Sequence, residues 1–128
     1  MTTPTEIISS FYDKLKVGDA PGALGLMAAD IEWITMWHYQ VLGRGPEQVA
    51  KGLFEPLMAE WSRFALTPSE FIAEGDNVVS LGAFTGVHRS TGKLANARYA
   101  HIWTVKGSKI TRFRQYIDTL AIAQARQL

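Results

Sequence analysis

The 128 residues contain no cysteine. Disulfides, thiolate nucleophiles and cysteine-held zinc are therefore excluded. A reducing cytoplasm is compatible with this, and it is the location we expect. No apolar run approaches the roughly 18 residues of a membrane-spanning helix, so no membrane partner is expected. Histidine is scarce, with three in all and no His-Glu-x-x-His or comparable spacing, so no metal site is expected. There is no phosphate loop and no dinucleotide fingerprint, and no cofactor is expected. Residues 1–6 carry neither a basic flank nor an apolar core, so no secretory signal is expected. Neither sign of charge is in surplus, since 13 Lys and Arg face 12 Asp and Glu. A nucleic-acid binder usually carries a clear basic excess, and no nucleic-acid partner is expected.

What is present is apolar. The chain is 47% hydrophobic and 11% aromatic, enough for a core, and residues 1–128 read as a single domain. Charge is segregated along it. Residues 1–77 hold 5 Lys and Arg against 11 Asp and Glu, and residues 78–128 hold 8 against the lone Asp118. Two halves that pack together and balance their charges account for this.

The apolar periodicity changes along the chain. Thr3, Pro4 and Glu6 form a capping box with proline at the first helical position. Ile7, Ile8, Phe11 and Leu15 then follow at helical spacing down to Gly18. Asp19 caps a short second helix that should end near Ala28-Ala29-Asp30. Alternation of Ile31, Trp33, Thr35 and Trp37 predicts a strand from Ile31 to His38. Val49, Leu53, Leu57 and Trp61 step by four and predict a third helix of about four turns. The remainder reads as strands at 64–74, 78–88, 94–106 and 109–118, separated by Gly- and Ser-containing turns. Pro68 suits an edge strand or a bend. A helical tail can follow over 119–127. Helices gathered at the N-terminus before an antiparallel meander predict an α+β fold. Several strands are apolar on both faces, and the helices can cover only one, so a symmetric homodimer through the outer face of the sheet is expected.

This order of elements carries local sequence of a recognisable kind. The residues are Lys16-Val17-Gly18-Asp19, Met27-Ala28-Ala29-Asp30-Ile31-Glu32-Trp33, Gly43-Arg44-Gly45-Pro46, Glu74-Gly75-Asp76-Asn77, Thr91-Gly92-Lys93, Gly107-Ser108-Lys109-Ile110 and Arg114-Gln115-Tyr116-Ile117-Asp118. Together they resemble the nuclear transport factor 2-like superfamily (cystatin-like α+β), in its SnoaL-like, ketosteroid-isomerase-related branch. The resemblance implies a cone-shaped curved sheet, closed by helices around a pocket for a small apolar or aromatic ligand. The fold alone does not fix the chemistry.

The resemblance also locates candidate reactive positions. Steroid isomerases of this fold use a tyrosine and a protonated aspartate as an oxyanion hole, with a second aspartate moving the proton. The matching positions here hold Phe11, His101 and Thr35. Limonene-type epoxide hydrolases use an Asp-Arg-Asp group, and the matching positions hold Gly82, Phe84 and Gln115. Both carboxylate sets are missing. SnoaL-type polyketide cyclases use an aspartate near the end of the last strand, which Asp118 matches. An arginine salt bridge explains Asp118 equally well, and strand parity puts it on the face opposite Gln115.

His101 and Asp118 are the candidate catalytic residues. His101 shares a strand face with Tyr99 and Trp103, and an imidazole titrating near neutrality could exchange a proton with a carbonyl substrate. The alternative is a buried neutral histidine held by Gln115 or Thr35. Candidate ligand-binding residues are Trp33, Thr35, Phe54, Met58, Trp61, Phe84, Tyr99, Trp103 and Gln115, since aromatic walls with a few polar groups suit small molecules. Two functions fit: a cofactor-free isomerase or cyclase for an apolar, polyketide-like carbonyl compound, or a binding domain without turnover. His38 and His88 read as surface residues.

Overall fold

The computed structural model describes residues 2–128. Helix α1 (Pro4–Lys16) starts as its sequence dictates. The Thr3 hydroxyl accepts from the Glu6 N–H, and the Glu6 carboxylate accepts from the Thr3 N–H. Its apolar stripe of Ile7, Ile8 and Phe11 is buried, together with Tyr12. Asp19 caps α2 (Ala20–Leu24) through the Gly22 N–H.

Five strands form one sheet in the order β1-β5-β4-β3-β2. They are β1 (Met27–Ile34), β2 (Trp61–Glu74), β3 (Asn77–His88), β4 (Leu94–Lys106) and β5 (Lys109–Ile117). β2 to β5 pair antiparallel as a meander, and β1 joins β5 in parallel. The result is the α+β architecture expected. Pro68 sits on the edge strand β2, beside a register shift between Pro68 and Glu70, where a missing N–H costs no ladder bond. A short helix, α5 (Thr119–Arg126), closes the chain.

Several boundaries differ from the sequence reading. Helix α2 stops at Leu24, and Met27–Asp30 belong to β1. Pairing decides this: Met27 lies opposite Ile110, whose N–H bonds the Leu26 carbonyl at 2.9 Å. β1 also ends early, at Ile34, so Thr35 to His38 belong to the connection that follows it.

The third helix is not one regular helix. It runs as α3 (Pro46–Val49), a π-helical stretch (Ala50–Phe54) and α4 (Glu55–Glu60). Pro56 supplies the reason. In a continuous α-helix its ring would strike the Gly52 carbonyl, and its missing N–H would leave that carbonyl unpaired. The widened turn instead bonds the Glu55 N–H to the Ala50 carbonyl, a π-type step. Gly52 faces the 39–42 segment so closely that a Cβ there would stand 2.5 Å from the Gln40 carbonyl oxygen. Trp61, read as the last helical residue, begins β2 instead.

Helices α1 and α4 and the connection after β1 cover the inner face of the sheet. Along β4, Ala95, Ala97, Tyr99, His101, Trp103 and Val105 are all buried, and the alternating residues are not. No helix among the described residues is long and apolar enough to cross a membrane.

Candidate functional site

The helices do not fill the space over the sheet. A cavity of about 100 Å³ remains between α1, the π stretch, α4 and the inner face of β1, β4 and β5. Trp33 enters from β1, Phe54 and Met58 from the third helical segment, His101 and Trp103 from β4, and Gln115 from β5. These six were read from the sequence. Phe11, Trp37, Leu57 and Phe113 are among the other residues of the wall. Trp33 and Phe113 stack at 3.9 Å, and Trp103 packs on both.

Four of the expected ligand-binding residues do not line this cavity. Thr35 lies past the end of β1, because the strand stops at Ile34. Trp61 is fully buried at the start of β2 and donates its indole N–H to Tyr39 at 2.9 Å. Phe84 lies edge-on between Trp61 and Trp37, one layer behind the wall. Tyr99 stacks on the His101 ring at 3.7 Å, and its phenol reaches the position where a Gly82 Cβ would be. Asp118 is also outside the cavity lining. It is exposed at the N-cap of α5, where its Oδ1 accepts from the Ala121 N–H at 3.1 Å. The parity of β5 anticipated this, and no arginine pairs with it among the described residues.

His101 is 2% exposed and central. Its Nδ1 lies 2.5 Å from the Tyr12 phenol oxygen. That oxygen lies 2.6 Å from Ser80 Oγ, which accepts from the Trp103 indole at 3.0 Å. Tyr12 was missed in the sequence, where Phe11 took the corresponding place. The helical period itself was the available signal: Ile8 and Tyr12, four apart, share a face of α1, and both are buried. Burial pushes the His101 pKa down to about 3, opposed weakly by the neighbouring Gln115 amide. Burial likewise raises Tyr12 well above the usual phenol range, with Tyr99 adding to it. The site therefore holds a neutral imidazole and a neutral phenol at physiological pH. Titration near neutrality, expected from a generic histidine, does not survive this environment.

Four cavity-lining side chains keep a buried nitrogen with no partner: Trp33 Nε1, Trp37 Nε1, His101 Nε2 and Gln115 Nε2. Buried polar groups are usually satisfied, so four unpartnered nitrogens among the described residues around one cavity stand out. Among the described residues no carboxylate lines the cavity.

A second polar cluster stands apart from it, around Glu60 at the end of α4. One carboxylate oxygen accepts from Tyr39 and His38, at 2.5 and 2.6 Å. The other accepts from His88 and Arg126, both at 2.8 Å. Burial would raise the Glu60 carboxyl, but the bonds from Tyr39, His38, Arg126 and His88 together hold it well below the usual range. His88 is buried rather than on the surface. Its Nδ1 accepts from the Thr91 N–H, which leaves Nε2 to donate to Glu60. Among the described residues no group of His, Asp and Glu has metal-holding geometry.

Comparison with known proteins agrees with this architecture. An NTF2-like protein from Burkholderia thailandensis is 32% identical over the full length of both chains, with a TM-score of 0.92. One from Burkholderia xenovorans is 34% identical over 99% of both, with a TM-score of 0.80. TerC, crystallised with polyporic acid, is 27% identical over 97% of this chain and 98% of its own, with a TM-score of 0.84. No curated protein matches the sequence. The SnoaL-like domain model matches residues 8–113, a span that holds every cavity-lining residue except Gln115, and the chain belongs to the SnoaL-like family of the NTF2-like fold.

Proposed function

We propose that the protein is a cofactor-free binder of a small, flat, apolar carbonyl compound of polyketide-like chemistry. One observation carries the reading: an aromatic cavity in which His101 and Gln115 are the polar side chains and each keeps an unused nitrogen. Apolar walls with a few convergent polar groups are the usual form of a small-molecule site. The relative TerC, crystallised with a small organic molecule, supports it. The proposal includes a homodimer through the outer face of the sheet. There Leu81, Ala83, Ala100 and Ile117 are only partly buried around an open hollow. It also includes a cytoplasmic location.

The second reading is an acid/base isomerase or cyclase at the same site, with His101 as the acid/base. The neutral imidazole and the lack of a lining carboxylate favour binding over proton abstraction, because nothing on the wall accepts a proton near pH 7. A neutral histidine can still polarise a carbonyl, as triosephosphate isomerase shows.

Trp33, Trp37 and Trp103 make the cavity self-reporting. Aromatic ketones should quench tryptophan fluorescence saturably, and Leu57→Phe, which fills the space, should abolish the effect. Quenching that persists unchanged in Leu57→Phe would place binding elsewhere and defeat the proposal. Turnover that followed a group titrating at pH 6–7 would favour the enzymatic reading.

A further inference from the structure

The hydrogen bonds around Tyr12 have a direction. An indole N–H only donates, so Ser80 Oγ accepts from Trp103. The Ser80 hydroxyl has one other partner, the Tyr12 oxygen. Its proton must go there, or a fully buried hydroxyl proton is left without an acceptor. The Tyr12 proton in turn goes to Nδ1 of His101, 2.5 Å from the phenol oxygen. The reverse order would have Nδ1–H donate to Tyr12 and Tyr12 donate to Ser80, which strands the serine proton at a cost of about 1–3 kcal/mol. With Nδ1 accepting, the ring carries its hydrogen on Nε2. That nitrogen belongs to a cavity-lining residue and has no partner.

We infer that Tyr12 is a positioning residue, which fixes His101 as an Nε2–H donor, so that the cavity takes ligands presenting an acceptor oxygen: a ketone or the corresponding enolate. The other unpartnered nitrogens agree. The indoles of Trp33 and Trp37 and the Gln115 amide nitrogen are donors too. The four unpartnered nitrogens on the wall all offer a hydrogen, and a ligand with lone pairs would meet them. The depressed basicity of the buried ring points the same way. Alkylammonium ions and purely hydrocarbon molecules of the same shape are disfavoured, the first because two donors would meet.

The ligand half of this inference rests on the proposed function, whereas the tautomer half concerns the protein alone. Nitrogen-15 NMR of the imidazoles, with His101 assigned by its loss in His101→Asn, reads the tautomer directly. The wild type should show a single Nε2–H form at pH 7, and Tyr12→Phe, with its fold checked by circular dichroism, should give a mixture. An Nδ1–H form in the wild type, or an unchanged pattern in a folded Tyr12→Phe, would overturn the role of Tyr12. The wild-type measurement decides even where the variant fails to fold. Acetophenone and ethylbenzene, alike in shape, then test the ligand. Acetophenone should bind about tenfold more tightly, the worth of one such bond. Its carbonyl carbon-13 signal should move downfield, and both effects should shrink in Tyr12→Phe. Equal binding of the two with no carbonyl shift overturns the donor reading and leaves the binding reading standing. Binding of neither removes the proposed function and the ligand class with it, and the tautomer measurement still judges Tyr12.

Discussion

The two polar clusters are built from similar residues and end in opposite states. Around Glu60, two histidines, a tyrosine and an arginine bring four donors to two oxygens, and the carboxylate is filled. Around His101, a tyrosine, a serine and a tryptophan complete one side of the imidazole and leave the other side unused. The Glu60 cluster ties α5 and β3 to the end of α4, through Arg126 and His88. The His101 cluster faces a cavity. A closed network stiffens the fold, and an open one leaves a bond unmade. Charge follows the same division, since the closed cluster has an ionised centre near the surface and the open one is neutral and deep.

Removing the centre of the closed cluster should have the largest effect. Glu60→Ala leaves four donors around an empty position and should lower unfolding stability by about 3 kcal/mol in urea titrations. Acetophenone binding by the folded fraction should stay within twofold. A comparable loss of binding would show that the two clusters are coupled.

Acid should separate the clusters next. The His101 pKa is depressed in the folded state, so its contribution to stability is complete above the unfolded value near 6.5. That contribution falls as pH drops towards about 3. The Glu60 carboxyl is also depressed, so its contribution is complete above the unfolded value near 4.3 and falls below it. Between about pH 6.5 and 4.5 the loss should belong to the imidazole, with a slope of at most about 1.4 kcal/mol per pH unit. His101→Asn should flatten that interval and keep the steeper loss below it. A slope that survives in His101→Asn would place the titrating group elsewhere.

The smallest effect should come from Asp118. Asp118→Ala removes a helix cap and should cost about 1 kcal/mol, with ligand affinity unchanged. A loss of binding would return this residue to the site.

The sequence made the scaffold legible where local rules and tertiary demands coincide. The capping box of α1, the turns of the meander and the proline on an edge strand are read from a few neighbouring residues, and each is found in place. The errors lie where pairing or packing overrides local preference. Ala28-Ala29-Asp30 was read as a helix end, but Met27 and Glu32 on either side pair with β5 and draw it into β1 as an irregular stretch. The step of four from Val49 to Trp61 concealed Pro56, which alone disqualifies a regular helix. Trp33, His101, Trp103 and Gln115 were legible at the site because strand parity assigns faces. Thr35, Trp61 and Phe84 were not, because placing them requires knowing where an element ends or how deep a ring lies in the stack. Tyr12 shows the limit most plainly. Its partners Ser80 and His101 are 68 and 89 residues away, and only the folded chain brings them together.

The π-helical stretch has a consequence for how the cavity wall can vary. Each residue turns an α-helix by about 100°, so a wide turn acts as one extra residue inserted into the winding. Leu57 and Met58 follow it on the cavity wall, and their place there depends on the wide turn. Deleting a single residue between Ala50 and Phe54 would remove the wide turn that accommodates Pro56, and its ring would again meet the carbonyl four residues earlier. The shape of the chamber is thus sensitive to the number of residues in this stretch as well as to their chemistry.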